Sequence, residues 1–229
     1  IRLFSDRTDV QFGCHHWPIW GKERVISFLK KQRDLYKFIH DQTLRLANKG
    51  FSKEEIAEQI KLPKSLSQEF FNRDYYGTVH HNSKAVFVRY LGYFDGNPST
   101  LYERPPVERA IRYVEWMGGP AKILEKARES FDSGDYRWTA EVLNHVVMAD
   151  EKHEEARCLL ADTLEQLGYQ SESATWRNFF LCGALELREG LPPTRDFVPS
   201  SGMAAGIPID QVFKTMAVRL LPDQVDGEV

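Results

Sequence analysis

Apolar positions set the plan of this chain. Between residues 22 and 49, Val25, Phe28, Leu29, Leu35, Phe38, Ile39 and Leu46 recur at helical spacings, with charges between them. This period predicts a long amphipathic helix, stopped by Gly50. Ser52 followed by Glu55 reads as a capping box that opens a short helix running through Ile60 and halted by Pro63. From Val107 to Gly190 the helical period continues in segments 107–117, 120–133, 135–149, 152–167 and 171–188. Their boundaries are Gly118-Gly119-Pro120, Gly134-Asp135, Asp150 and Gly168. The run Leu164 to Tyr169, with its Leu-Gly-Tyr, is of the kind found in tetratricopeptide hairpins and equally in ordinary helical bundles.

Two regions depart from this period. Residues 8–14 alternate, placing Val10, Phe12 and Cys14 on one side, which predicts a short half-buried strand leading into His15-His16-Trp17-Pro18. Residues 63–106 are irregular and aromatic-rich, with a helix expected over 84–91 and a loop on turn chemistry at Asp95-Gly96-Asn97-Pro98. Residues 191–207, rich in Pro, Ser and Gly, read as an interdomain linker. The apolar stretch near Val212 to Leu221 reads as an element barely begun, and both ends of the chain read as cuts in a longer protein.

Composition narrows the function. Thirty Lys and Arg against 33 Asp and Glu give a net charge of -3, so there is no cationic excess to neutralise a nucleic-acid backbone. No apolar run is long enough to span a bilayer. Three cysteines, Cys14, Cys158 and Cys182, form neither a disulfide framework nor a metal knuckle. Cys158 and Cys182, beside Leu159 and Leu181, are expected to be buried small hydrophobes. His15 and His16 at a strand end read either as imidazoles for zinc or equally as two hydrogen-bonded histidines on a loop under Trp17 and Trp20, and a metal site needs more ligands than this neighbourhood holds. Tyr75, Tyr76, His80, His81, Asn82, Arg89 and Tyr90 together read either as a polar-rimmed packing loop with its tyrosine ring faces buried, which chemistry alone favours, or as the donors that an oxyanion requires.

Phe12-Gly13-Cys14-His15-His16-Trp17-Pro18-Ile19-Trp20-Gly21 resembles the HHWPxWG motif of zinc-dependent alkyl sulfatases with a metallo-β-lactamase fold. The likeness continues through His40 to Gly50, Tyr75-Tyr76-Gly77-Thr78, His81-Asn82, Arg89 to Gly92, Gly134 to Asn144, and Leu164 to Tyr169. The resemblance implies a mainly α chain, a helical dimerisation domain joined to the terminal strand and loop of an α/β metallo-β-lactamase fold. Residues 1–21 would end the catalytic domain, 22–190 would be the dimerisation domain, and 208–229 would begin a domain like sterol carrier protein 2.

The same resemblance implies two zinc ions per full-length subunit, with their remaining ligands outside this chain. His15 is the expected zinc ligand and His16 the second choice. Tyr90, Tyr76, His81 and Asn82 are the expected sulfate contacts, and a homodimer acting on an alkyl sulfate is the expected assembly. The family favours a periplasmic or secreted location. Cys14 stands where the family commonly has Ser, and Phe87 where many relatives carry Tyr. Two other readings compete: a stand-alone helical-repeat interaction module, and a metallo-β-lactamase-fold hydrolase of another ester.

Overall fold

The computed structural model describes residues 1, 3–191, 201–219 and 221. Helix dominates, as the periodicity predicts. In chain order the elements are β1 (Val10–Gln11), β2 (Ile19–Trp20), α1 (Lys22–Ala47), α2 (Lys53–Gln59), α3 (Lys64–Ser67), α4 (Val79–Leu91), α5 (Pro106–Trp116), α6 (Pro120–Asp132), α7 (Tyr136–Ala149), α8 (Glu154–Gln170) and α9 (Ala174–Glu189). These lie in one compact unit, Ile1–Gly190. A second unit, Leu191–Val229, contains α10 (Ser201–Gly206) and α11 (Ile209–Ala217). Within that unit Ile209, Phe213 and Met216 of α11 are all exposed. The expected linker falls largely on residues 192–200, outside the described residues, and its last part, Ser201–Gly206, is helical.

Local chemistry explains most boundaries. At the end of α1, Gly50 takes φ of 87°, and the Phe51 N–H donates back to the Leu46 carbonyl while Gly50 N–H donates to Ala47. That is a Schellman stop, which a side chain at position 50 would strain. The Ser52 capping box forms in both directions, its Oγ accepting from the Glu55 N–H and Glu55 accepting from the Ser52 N–H.

The helix expected from residue 84 instead begins at Val79, because the Thr78 hydroxyl caps it by accepting the His81 N–H. His80, His81 and Asn82 therefore occupy a helical first turn rather than a loop. The strand is shorter than expected. Its ladder is only Val10↔Trp20 and Gln11↔Ile19, and Pro18, having no N–H, cannot extend it. Among the described residues β1 pairs only with β2, and Val10, Phe12 and Cys14 are exposed rather than half-buried.

Two apolar clusters hold the first unit. One joins Leu46, Ile56, Ile60 and Phe87 across α1, α2 and α4. The other joins Ile123, Leu124, Ala127, Val142, Leu143, Val146, Ala156, Leu159 and Leu160 across α6, α7 and α8. Phe87 is thus a core residue. Cys158 and Cys182 are exposed, which corrects the expectation that they are buried. Successive residues on a helix lie about 100° apart, so the burial of Leu159 turns Cys158 outward.

Helix α9 packs closely on α8 through two glycines. A Cβ at Gly168 would meet Leu181 Cδ2 at 2.9 Å and Phe180 Cβ at 3.4 Å, and one at Gly183 would meet Leu164 Cδ1 at 3.3 Å. We expect Gly168→Val to destabilise the chain by about 1–3 kcal/mol through overpacking, read as a lower urea midpoint. An unchanged midpoint would show that the two helices have room to spare.

Candidate functional site

The Cys14–His16 loop lies between β1 and β2 and rests on α1. The His16 ring packs against Phe28 with centroids 4.8 Å apart, and Phe28 meets Phe71 edge-on at 4.7 Å. One turn further along the same face of α1, Gln32 Nε2 donates to the Phe71 carbonyl at 3.1 Å and to Asn72 Oδ1 at 2.8 Å. Asn72, buried, donates in turn to the Leu66 carbonyl at 3.1 Å. These contacts bring the hairpin loop and the Phe71–Gly77 stretch together around one cavity of about 270 Å³, which His15, His16, Tyr76 and Asn82 all line.

Within it the His15 ring lies flat on Tyr76, with centroids 3.6 Å apart and planes 11° apart. His15 itself is exposed, and its ring nitrogens have no hydrogen-bond partner among the described residues. His16 Nδ1 donates to the Trp17 carbonyl at 2.9 Å, which leaves Nε2 as the lone-pair nitrogen of the neutral ring. That Nε2 sits over Gly13, where an added Cβ would stand only 2.7 Å away.

The far wall is fixed by the start of α9. Ser173 Oγ and Thr175 Oγ1 both donate to the Tyr76 carbonyl, at 2.7 and 3.0 Å, and the Ala174 N–H donates to the Tyr75 carbonyl at 2.8 Å. Trp176 Nε1 donates to His81 Nδ1 at 2.7 Å. The neutral His81 must then carry its proton on Nε2, as a donor for an anion. Arg73 pairs with Glu172 just before the helix. None of Ser173, Thr175, Trp176, Arg73 or Asp74 was among the expected site residues. The capping preference of Ser173 is the signal that points to the first of them.

Tyr90 stands apart. Its hydroxyl bonds to His40 Nε2 at 2.9 Å near the other end of α4, about 12 Å along the helix from Asn82. The structure therefore brings Tyr76, Asn82 and the two histidines together, sets His81 at their edge, and leaves Tyr90 outside.

Charge at and around the cleft is also shaped. Burial holds the Asp74 carboxyl above the ordinary carboxylate range, and the nearby Glu172 adds to the rise, against the Val79 N–H that Asp74 Oδ1 accepts at 3.0 Å. Burial and the Lys84 charge hold His80 below the usual imidazole value, against the pull of Glu58. Among the described residues no group of three or more His, Cys, Asp or Glu is placed to hold a metal ion.

Comparison with known proteins decides the relationship. Residues 52–190 match the alkyl sulfatase dimerisation family. The chain belongs to that family. It is 50% identical over its whole length to a linear primary-alkylsulfatase from Pseudomonas sp, of which it covers 34%. It is 48% identical over 99% of its length to an alkyl/aryl-sulfatase from Saccharomyces cerevisiae, covering 35% of that protein. The solved structure of the stereoselective inverting sec-alkylsulfatase Pisa1 from Pseudomonas sp. superposes with a TM-score of 0.92 at 45% identity, over 97% of this chain and 35% of that one. The chain thus spans about a third of the length of the relatives it matches.

The dimerisation-family match begins at Ser52, so the hairpin carrying His15 precedes it, although both lie in the same compact unit. Asp74 offers a test of how this wall is held. Because its pKa is raised in the folded chain, the stability it lends is complete below the unfolded value of about 3.9 and falls as pH rises through the folded value. Asp74→Asn keeps the acceptor for Val79 without the desolvated charge. Its urea midpoint should match the wild type in acid and exceed it near neutral pH. A less stable Asp74→Asn at neutral pH would show that the charge itself is needed.

Proposed function

We propose that this chain is the dimerisation region, and one wall of the active site, of an enzyme that hydrolyses alkyl sulfate esters to an alcohol and sulfate. The observation that carries this reading is the 50% identity, over the whole of this chain, to a third of a linear primary-alkylsulfatase, together with the cleft in which His15, Tyr76 and Asn82 meet. The helical-repeat interaction module offers no account of that cleft. Homodimerisation through this region is supported by the family match and by Val107, Ile111 and Trp116 of α5, all exposed.

A binuclear zinc site is part of the proposal, and the residues here fit a single donor to it. Among the described residues the His15 ring nitrogens in the cleft have no hydrogen-bond partner, and neither has His16 Nε2, which lies over a glycine that leaves it clear. His15 is the proposed ligand and His16 the second choice; every other ligand would come from outside the chain. Zinc, when bound, supplies Lewis-acid polarisation and generates the nucleophile from water.

The chain's own residues orient and bind. Tyr76 holds the His15 ring by stacking. The Asn82 amide, the His81 Nε2–H and the Tyr76 hydroxyl are donors for sulfate oxygens, and each such bond to an anion is stronger than its neutral counterpart. Tyr90, bonded to His40 and outside the cleft, is not placed to reach the same sulfate and drops out of the proposed contacts.

In the alkylsulfatase that carries this chain, His15→Ala should lower zinc content at one site and abolish sulfate release. His16→Ala should cost about 10–100-fold in metal affinity, the scale of a residue that orients a ligand. Light scattering should find both variants still dimeric. Full zinc content and normal turnover in His15→Ala would overturn the assignment, and a larger loss in His16→Ala would move it one residue along.

A further inference from the structure

A second cavity lies far from this cleft in sequence, between α6 and α7, with a volume of about 290 Å³. Its floor is apolar and buried: Ile123 and Ala127 from α6 and Val142 from α7. The Trp138 indole, half exposed, forms the α7 wall. The α6 rim is different in kind. Lys122, Lys126 and Ser130 follow one another at intervals of four along the helix, so two ammoniums and a hydroxyl form a single row beside the apolar floor.

Neither lysine is neutralised. Among the described residues no carboxylate lies within ion-pair distance of either, whereas Arg128 on the same helix pairs with Glu155 at 2.6 Å. At about 100° per residue, Glu125 and Glu129 fall on the side of the lysine row away from the groove. The Lys122 stem is laid over Gly118, whose added Cβ would meet Lys122 Cδ at 3.0 Å, so this cation is stationed at one end of the groove.

A furrow with an apolar floor, an aromatic wall and an unpaired cationic edge matches one chemistry. We infer that the α6–α7 groove binds a single-chain anionic amphiphile, its aliphatic chain along Ile123, Ala127, Val142 and Trp138 and its headgroup at Lys122 and Lys126. An apolar protein face would leave the two charges unpaired in a buried interface, at a cost in affinity. The site shares no residue with the His15 cleft, and the inference stands whether or not the chain belongs to a sulfatase active site.

The test uses this chain and decyl sulfate, below its micelle concentration, with decanoate as a second anion. Titration calorimetry should show one saturable site for both anions, quenching of tryptophan fluorescence that is lost in Trp138→Phe, and no comparable binding of decanol. The exposed positions make Lys122→Glu/Lys126→Glu a mild change to the fold, checked by circular dichroism. That variant should bind decyl sulfate at least tenfold more weakly and should gain affinity for decyltrimethylammonium. Equal decyl sulfate affinity in the charge-reversed variant, or non-saturating uptake at many sites, would overturn the inference. So would affinity that falls as protein concentration rises, which would assign the groove to contact between copies of the chain.

Discussion

The bonds between the start of α9 and the Tyr75–Tyr76 backbone are the constraint on which the cleft depends. Ser173 is almost fully buried, and its hydroxyl and that of Thr175 converge on a single carbonyl nearly a hundred residues away. Each such bond contributes about 1 kcal/mol net, but the position it fixes matters more than the sum. Without it the Tyr75–Thr78 segment is a loop end, and the ring of Tyr76 would not be held against His15. The same serine caps its own helix by accepting the Trp176 N–H, and Trp176 in turn sets the proton of His81. One helix start therefore positions a stacking ring, an imidazole tautomer and the entry to α4.

This arrangement joins two separately buried cores. The α1–α2–α4 cluster carries the hairpin and the first turn of α4, while the α6–α8 cluster carries α9. Arg137 of α7 reaches Glu58 of α2 at 2.8 Å, and His80 of α4 reaches the same carboxylate at 3.3 Å, a second tie between the two halves. Exposed ion pairs of this kind add little to stability, so the neutral hydrogen bonds at Ser173 and Thr175 are the firmer tie. Phe12 and Trp17, in the same hairpin as His15, are exposed apolar surface of the sort that marks an interaction site.

Much of the fold was legible because its signals are local. Periodicity located the long helix from Lys22 and the series after Val107, and the Gly50 stop and Ser52 capping box formed as their residue types require. Failures arose where a neighbour rather than a period decides. Thr78 started α4 early, and adjacency to Leu159 and Leu181 was a poor guide to Cys158 and Cys182, because neighbours on a helix face different ways. The site was half legible. His15, Tyr76 and Asn82 do share a cavity, but they are brought together by Ser173, Thr175 and Trp176, whose partners lie too far along the chain for any spacing rule to connect them.

Amide hydrogen exchange at Ala174 tests the central claim most directly. This residue opens α9, where an N–H has no partner within its own helix and ordinarily exchanges at rates typical of exposed chain. Here it donates to the Tyr75 carbonyl. The account predicts protection of the Ala174 amide comparable to that of the α8 core amides, lost together with protection in the first turn of α4 when Ser173 and Thr175 are both replaced by alanine. Exchange of the Ala174 amide at an open-chain rate in the unaltered protein would contradict it.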